Sequence, residues 1–346
     1  MNLDVNVFYS ATSLLDAVPE LFHNPIQANI ILPYALKRKA WEESGFTSFA
    51  SSDLDRNMPP IWVALWSGRS GTQPSVLDFV VSITNSNIST LPLFIFTPHS
   101  AEVTTPEFLF PRLERLVGAL TEVIPITRVF AVFAPIQVTR LFAHLWTWRT
   151  GVASVATPYY RADLATVTFD SLVTSLADHQ PHRRSRLARM SDIEEIALQF
   201  KEFADDSIYY PMTLDQAREE AREYIRERKL WVCEAELAGG NGVRAIVSIV
   251  AVTRNSGTHA FITKVFTPPQ FRRQGHAKHL VAWVSKRLLV QHGYSTVSLY
   301  VDEENKGAAA TYSKVGYTGI GGHQPQAVEE WEEIGFDPQR TQKGHW

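Results

Sequence analysis

Apolar residues along this chain recur at two different periods, and the switches between periods lay out its elements. Ile193, Ile196, Ala197 and Phe200 share one helical face, with Ser191 and Glu194 spaced as a capping box, which predicts a helix. A second, highly charged helix is expected over residues 213–227. Residues 230–237 and 243–252 are rich in strand formers and flank the Gly-rich turn 238–242, the pattern of a hairpin. Residues 258–266 read as a further strand. After them Ala277, Leu280, Val281, Val284 and Leu288 form an apolar stripe of helical spacing that ends at Gly293. A strand at 297–301, a short helix at 307–314 stopped by Gly316, and a closing pair of strands at 317–320 and 327–336 complete the order.

The first part of the chain repeats much of this order. Residues 61–66, 77–84 and 91–97 read as strands, 111–123 as a helix, 129–133 as a strand and 138–148 as a helix. At an offset of about 168 residues the strand at 129–133 falls on that at 297–301, and His144 falls on Tyr312. Between the parts, residues 175–190 break the periodicity with Pro181 and cluster Arg183, Arg184, Arg186 and Arg189. A domain boundary is expected there, giving domains 1–180 and 181–346.

Composition narrows the class. Of 346 residues, 45% are hydrophobic and 20% charged, enough for a substantial core. With 33 Lys and Arg against 36 Asp and Glu, nothing in the overall charge calls for nucleic acid or an anionic membrane as partner. Cys233 is the single cysteine, so a disulfide framework or a cysteine-based metal site within one chain is excluded, no metal is expected, and the cytoplasm is the expected compartment. The longest apolar stretches, 91–96 and 129–135, are far shorter than the roughly 20 residues that span a bilayer.

The most informative segment joins the strand at 258–266 to its following helix. It reads Arg272, Arg273, Gln274, Gly275, His276, Ala277. A helix N-terminus presents unpaired N–H groups and about half a positive charge, which suits an anion. Gly275 offers no Cβ to hold a diphosphate away, and the arginines add permanent charge. A solvent-exposed turn with incidental arginines accounts for the hexapeptide equally well. A second motif alters that balance: Asn305, Ala308 and Tyr312 at fixed spacing, followed by Gly316 and Tyr317.

Together the two motifs resemble the GNAT N-acetyltransferase family over roughly residues 185–337. The resemblance implies an α/β fold, a mixed and mostly antiparallel sheet that splays in a V and is flanked by helices. It also implies an acetyl-CoA-dependent N-acetyltransferase that moves an acetyl group directly to a small-molecule amine in a ternary complex. Acetyl-CoA would lie along Val265, Phe266 and Thr267, with its diphosphate on Arg272, Arg273, Gln274, Gly275, His276 and Ala277, and near Asn305 and Ala308. A β-bulge is expected in that strand, at a position the sequence does not disclose. Tyr312 would be the general acid, since a phenol of pKa about 10 is matched to a departing thiolate; a core tyrosine is the alternative. Asn305 also reads as an ordinary helix N-cap.

The base is open among Asp205, Asp206, Glu234, Glu236 and His259. Asp205, Asp206, Tyr209, Tyr210 and Glu234 are candidates for contact with the acceptor. Cys233 reads as a small core residue. The first part, whose counterpart of the phosphate loop is Thr104, Thr105, Pro106 and Glu107, reads as a degenerate copy that does not bind the cofactor, making a tandem arrangement with scaffold function. A chain with its own pseudo-partner is expected to be a monomer or weak dimer. A longer acyl donor, a hydroxyl acceptor, and a non-catalytic acetyl-CoA sensor or scaffold remain as alternative readings.

Overall fold

The computed structural model describes residues 2–44, 59–68, 75–85, 89–177, 182–205, 211–236, 242–321 and 328–344. The elements begin with β1 (Asn2–Phe8), α1 (Ala11–Ala17), α2 (Glu20–His23), α3 (Leu32–Glu43), β2 (Ile61–Gly68), β3 (Val76–Ile83), β4 (Leu93–Phe96), α4 (Pro106–Val123), β5 (Ala131–Pro135) and α5 (Ile136–Thr150). They continue through β6 (Tyr160–Val167), β7 (Arg183–Leu187), α6 (Ile193–Asp205), α7 (Leu214–Arg226), β8 (Leu230–Glu236), β9 (Arg244–Val252), β10 (His259–Phe266), α8 (His276–Val290), β11 (Thr296–Asp302), α9 (Lys306–Val315) and β12 (Glu330–Gly335).

These elements form two compact units, Met1–Ala162 with Glu329–Trp346, and Asp163–Val328. Strand order in the first is β1-β2-β3-β4-β5-β12, and in the second β7-β8-β9-β10-β11-β6. Each unit runs antiparallel up to one parallel pair, β4 with β5 and β10 with β11. A parallel pair needs a crossover, and α4 and α8 supply it. The buried stripe of α4 (Leu109, Leu113, Leu116, Leu120) packs in one cluster with Phe79, Val81, Leu93 and Ile95. Leu280, Val281, Val284 and Leu288 of α8 share a second cluster with Val250, Ile262, Val297 and Leu299. The fold is thus α/β with mixed sheets, and the repeat in element order is borne out in both units.

The termini of the units differ from the contiguous halves expected at residues 180 and 181. The arginine-rich segment is a strand, β7, paired with β8 along Arg183–Leu187, and Arg186 is neutralised by Asp192 (2.6 Å) and Glu234. Among the described residues, 317–320 and 328–336 do not pair with each other as expected. Thr318 bridges Thr166, while β12 pairs antiparallel with β5 from Trp331↔Pro135 to Gly335↔Ala131. The side chains of β12 explain its place: Trp331 is buried 5.3 Å from the Phe133 ring, Glu332 is buried between Arg140 and Arg161, and a Cβ on Gly335 would overlap the Tyr159 ring.

Helix boundaries also shift. The helix expected from residue 111 starts at Pro106, because the Thr105 hydroxyl caps it and proline is well placed in a first turn. The expected Ser191–Glu194 box is replaced by a short 3-10 turn, Met190–Asp192, in which the Asp192 carboxylate accepts the Arg189 N–H at 2.7 Å. Trp62 and Trp146 are fully buried core residues, whereas Trp148 is 70% exposed.

Gly316 ends α9 in the left-handed region (φ 109), and a Cβ there would lie 2.0 Å from the Ser171 carbonyl oxygen. The obstacle is backbone, held by the Val173 N–H to Val315 O bond of 2.9 Å, so it has no flexible end to yield. Gly316→Ala should therefore destabilise the chain by about 2–3 kcal/mol. A urea titration checks this; an unshifted midpoint would contradict the close approach.

Candidate functional site

The site begins with a fault in β10. Its pairing with β9 shifts register between Ile262 and Lys264, leaving Thr263 as a bulge, and the Thr253 hydroxyl donates to Thr263 Oγ1 at 2.9 Å. Its parallel pairing with β11 runs only from His259↔Thr296 to Ile262↔Leu299. Past those residues β10 continues to Phe266 and β11 to Asp302 without pairing to each other. The two strands part at the bulge, and the β11-facing edge of residues 263–266 is left without a strand partner among the described residues.

At the end of β10 the chain is fixed by polar contacts. The Thr267 hydroxyl donates to Ser248 Oγ (3.0 Å), which in turn donates to the Phe266 carbonyl (3.1 Å). Val265 packs on the second core and Phe266 is buried edge-on to Phe203. Arg272 turns back: its Nε donates to the Thr267 carbonyl at 3.0 Å and its guanidinium lies 5.7 Å from the Phe266 ring centre. It braces the turn rather than extending from it, while Arg273 and Gln274 are exposed.

Arg273 (φ 61) and Gly275 (φ 79) both adopt left-handed backbone, which turns the chain sharply into α8. Gly275 is the N-cap and no side chain caps the first turn, so its leading N–H groups face away from any side-chain acceptor. A Cβ on Gly275 would meet only the Arg183 guanidinium, at 3.8 Å. His276 is buried, its Nδ1 lacks a hydrogen-bond partner, and its pKa falls to about 4 through burial first and then the nearby Arg183 and His279. It is neutral at physiological pH. Ala277 begins the packed face of the helix half-buried.

Helix α9 brings the second motif. Asn305 is its N-cap, with Oδ1 accepting the Ala308 N–H at 2.9 Å, and Ala308 packs on the core. Tyr312 is 7% exposed, with its ring 5.9 Å from that of Tyr317. The two tyrosines differ in their hydroxyls. Tyr317 shares a 2.9 Å hydrogen bond with Ser285 of α8, whereas the Tyr312 hydroxyl makes none among the described residues. Burial pushes both phenols well above their ordinary range.

Of the expected acceptor residues, the two that are described lie on different elements, Asp205 at the end of α6 and Glu234 on β8. Asp205 is exposed and paired with Lys201 at 2.6 Å; Asp206, Tyr209 and Tyr210 lie outside the described residues. Glu234 spends its carboxylate on Arg186, whose Nε donates at 2.8 Å. His259 is fully buried where β10 and β11 are still joined, its Nδ1 2.7 Å from Thr296 Oγ1, and burial lowers its pKa to about 4. Cys233 is fully buried and its thiol is pushed up to about 11, mainly by burial, so it is a core residue without thiolate character.

The structure adds a group that the sequence reading passes over. Lys264, immediately after the bulge, is buried with its Nζ 2.7 Å from both oxygens of Glu220 on α7, and the Tyr224 hydroxyl donates to Glu220 Oε1 at 2.9 Å. The ammonium also lies 5.0 Å from the Phe200 ring and 5.7 Å from that of Phe203. The available signal was Glu220 itself, a charge on the buried α7 face formed by Ala217, Ala221 and Ile225. Among the described residues no cluster of His, Cys, Asp or Glu could hold a metal ion, and no helix is long and apolar enough to cross a membrane.

The bulged strand β10 thus parts from its parallel neighbour β11, and the glycine-capped N-terminus of α8 follows it in the chain. Residues 191–317 match the model of the acetyltransferase (GNAT) family, and the chain therefore carries a GNAT domain over those residues. No curated protein matches the chain. Among solved structures, a Drosophila protein superimposes with a TM-score of 0.61 at 16% identity, covering 96% of this chain and 98% of the other. A GCN5-related N-acetyltransferase from Sphaerobacter thermophilus gives a TM-score of 0.50 at 14% identity, covering 96% and 94%. At these identities the likeness is one of fold, and it extends over both units.

Proposed function

We propose that this chain is an acetyl-CoA-dependent N-acetyltransferase that transfers acetyl directly to a small-molecule amine. The observation that carries the reading is the Gly275 turn: a positive-φ glycine at a helix N-terminus with no capping side chain, beside the opening between β10 and β11. A diphosphate fits this turn on physical grounds. The space a Cβ would fill is bounded only by a guanidinium, and the first-turn amides have no side-chain acceptor. The backbone of Gln274, Gly275, His276 and Ala277 would hold the diphosphate, with charge from Arg272 and Arg273. The free edge at Val265, Phe266 and Thr267 would hold the pantetheine arm as an added strand. Asn305 and Ala308 set the start of α9 alongside. Bound acetyl-CoA supplies an activated acyl thioester.

Tyr312 holds a proton at its phenolic oxygen for the departing thiolate. Burial keeps the phenol protonated at neutral pH and also weakens it as an acid relative to the match expected from a phenol of ordinary pKa, so the role rests on the spacing of Tyr312 after Asn305 and Ala308. The first unit repeats the framework but replaces the glycine turn by Thr104–Glu107, where Thr105 fills the N-cap with its own side chain. An acidic Glu107 in that first turn opposes a phosphate as well, which supports a scaffold role.

Titration with coenzyme A, followed by thiol release with acetyl-CoA against a panel of amines, tests the reading. Binding without turnover on any amine would favour a sensor. Gly275→Glu finds room for its side chain but puts a non-glycine residue into left-handed backbone (φ 79), so its fold is checked first by a thermal melt; the folded variant should weaken coenzyme A by about a hundredfold by setting a carboxylate at the diphosphate. Unchanged affinity would remove the phosphate assignment.

A further inference from the structure

The geometry points to a small-molecule site inside the first unit, a cavity between α4 and α5 that takes a carboxylate bearing an apolar tail. The repeat in element order leads to it. In this unit the parallel strands β4 and β5 are joined only at Leu93↔Val132 and Phe94↔Phe133, and β4 runs on to Phe96 and β5 to Pro135 without pairing to each other. The first turn of α4 and the outer face of α5 border a cavity of about 550 Å³, within the range of ligand pockets. At the offset of about 168 residues, Asn305, Ala308 and Tyr312 of α9 fall on Gln137, Arg140 and His144 of α5. All three of these residues line the cavity. The place of the second motif is thus kept in the first unit while its chemistry is changed.

The lining decides the ligand. Pro106, Leu109 and Leu141 offer apolar surface, and the Thr104 hydroxyl donates to Gln137 Oε1 at 2.9 Å, which ties the approach of α4 to α5. A diphosphate is disfavoured, because Thr105 caps the first turn and Glu107 adds negative charge to it. A single carboxylate finds a partner elsewhere. Arg140 is exposed, and its Nε and Nη2 donate to Glu332 at 3.0 and 3.2 Å. Glu332 is fully buried and also accepts from Arg161 Nε at 2.6 Å. One carboxylate is therefore shared by two guanidiniums, which leaves Arg140 incompletely neutralised, and its Nη1 makes no hydrogen bond among the described residues. His144 follows one turn later, is exposed, and carries an N–H donor in either charge state. Both side chains also line a second cavity of about 300 Å³, so an anion can reach them. A carboxylate on Arg140 and His144 gains charge-assisted hydrogen bonds, and its tail covers the apolar surface beside them.

The test uses the full chain, with hexanoate as the probe and acetate and the neutral hexanamide as controls, each titrated by one-dimensional NMR. Hexanoate should bind at least about tenfold more tightly than acetate, since its added methylenes are buried. Arg140→Gln should weaken hexanoate at least about tenfold and leave hexanamide unchanged; Arg140→Lys should recover part of the loss. Arg140 is exposed and Glu332 keeps Arg161, so the variant should melt as the parent does. Acetate binding as tightly as hexanoate overturns the assignment, as does a hexanoate affinity unchanged in Arg140→Gln. An equal loss for hexanoate and hexanamide overturns it too, because it marks a change in the fold. Excess coenzyme A should leave hexanoate bound, and its displacement would place the probe in the cofactor crevice instead. The site is independent of the cofactor reading, so a chain that takes hexanoate but no coenzyme A would overturn that reading alone.

Discussion

Tyr312→Phe should leave folding and coenzyme A affinity intact and lower the rate of acetyl transfer by about 10²–10⁴-fold. The expectation rests on what the hydroxyl does not do in the folded chain. Tyr312 is buried in the second core, where its ring meets Tyr317, and its hydroxyl makes no hydrogen bond among the described residues. Removing that oxygen keeps every packing contact and breaks no internal bond, so stability should change by no more than about 0.5 kcal/mol. The chemistry changes far more. Expulsion of a thiolate needs a proton at the sulfur, and phenylalanine has none to give. Tyr317→Phe is the internal control: it breaks the bond to Ser285, should cost about 1 kcal/mol, and should leave transfer untouched. Thiol-release kinetics and thermal melts on the two variants separate the roles. A Tyr312→Phe enzyme that turns over at the wild-type rate would return Tyr312 to the core residues.

The glycine turn before α8 and the motif along α9 are legible from the sequence because their physics is local. A glycine before an apolar helical stripe, and Asn305, Ala308 and Tyr312 along one short helix, each fix a relation between residues close in the chain. The structure places them as the spacing implies, with α8 beginning at His276 and α9 at Lys306. What escaped depends on pairings across long stretches. Periodicity shows that residues 330–335 form a strand, but their neighbour, β5, is chosen by the fit of Trp331 against Phe133 and of Gly335 under Tyr159. The bulge at Thr263 has no composition of its own and follows from pairing with β9. The closeness of Arg183 to Gly275 is likewise created by the order of strands.

The same distinction explains Lys264 and Glu220, and leads to the largest expected effect on stability. Both side chains are buried, at 7% and 5% exposure, so each charge has lost most of its hydration and depends on the other. Their 2.7 Å contacts, the Tyr224 hydroxyl and the faces of Phe200 and Phe203 provide what water would otherwise supply. Lys264→Met fills the same volume but takes the cation away from a buried Glu220 carboxylate, and should cost about 3–5 kcal/mol. Glu220→Gln leaves the ammonium with a neutral acceptor and should cost less. With both changes the uncompensated charge is gone, so the double variant should be more stable than Lys264→Met alone. Denaturant titrations of the single and double variants give the coupling energy directly. Strictly additive losses would mean that the two charges are hydrated independently of each other. Because Lys264 follows the Thr263 bulge, the coupling also measures how firmly α7 holds β10 at the point where it leaves β11.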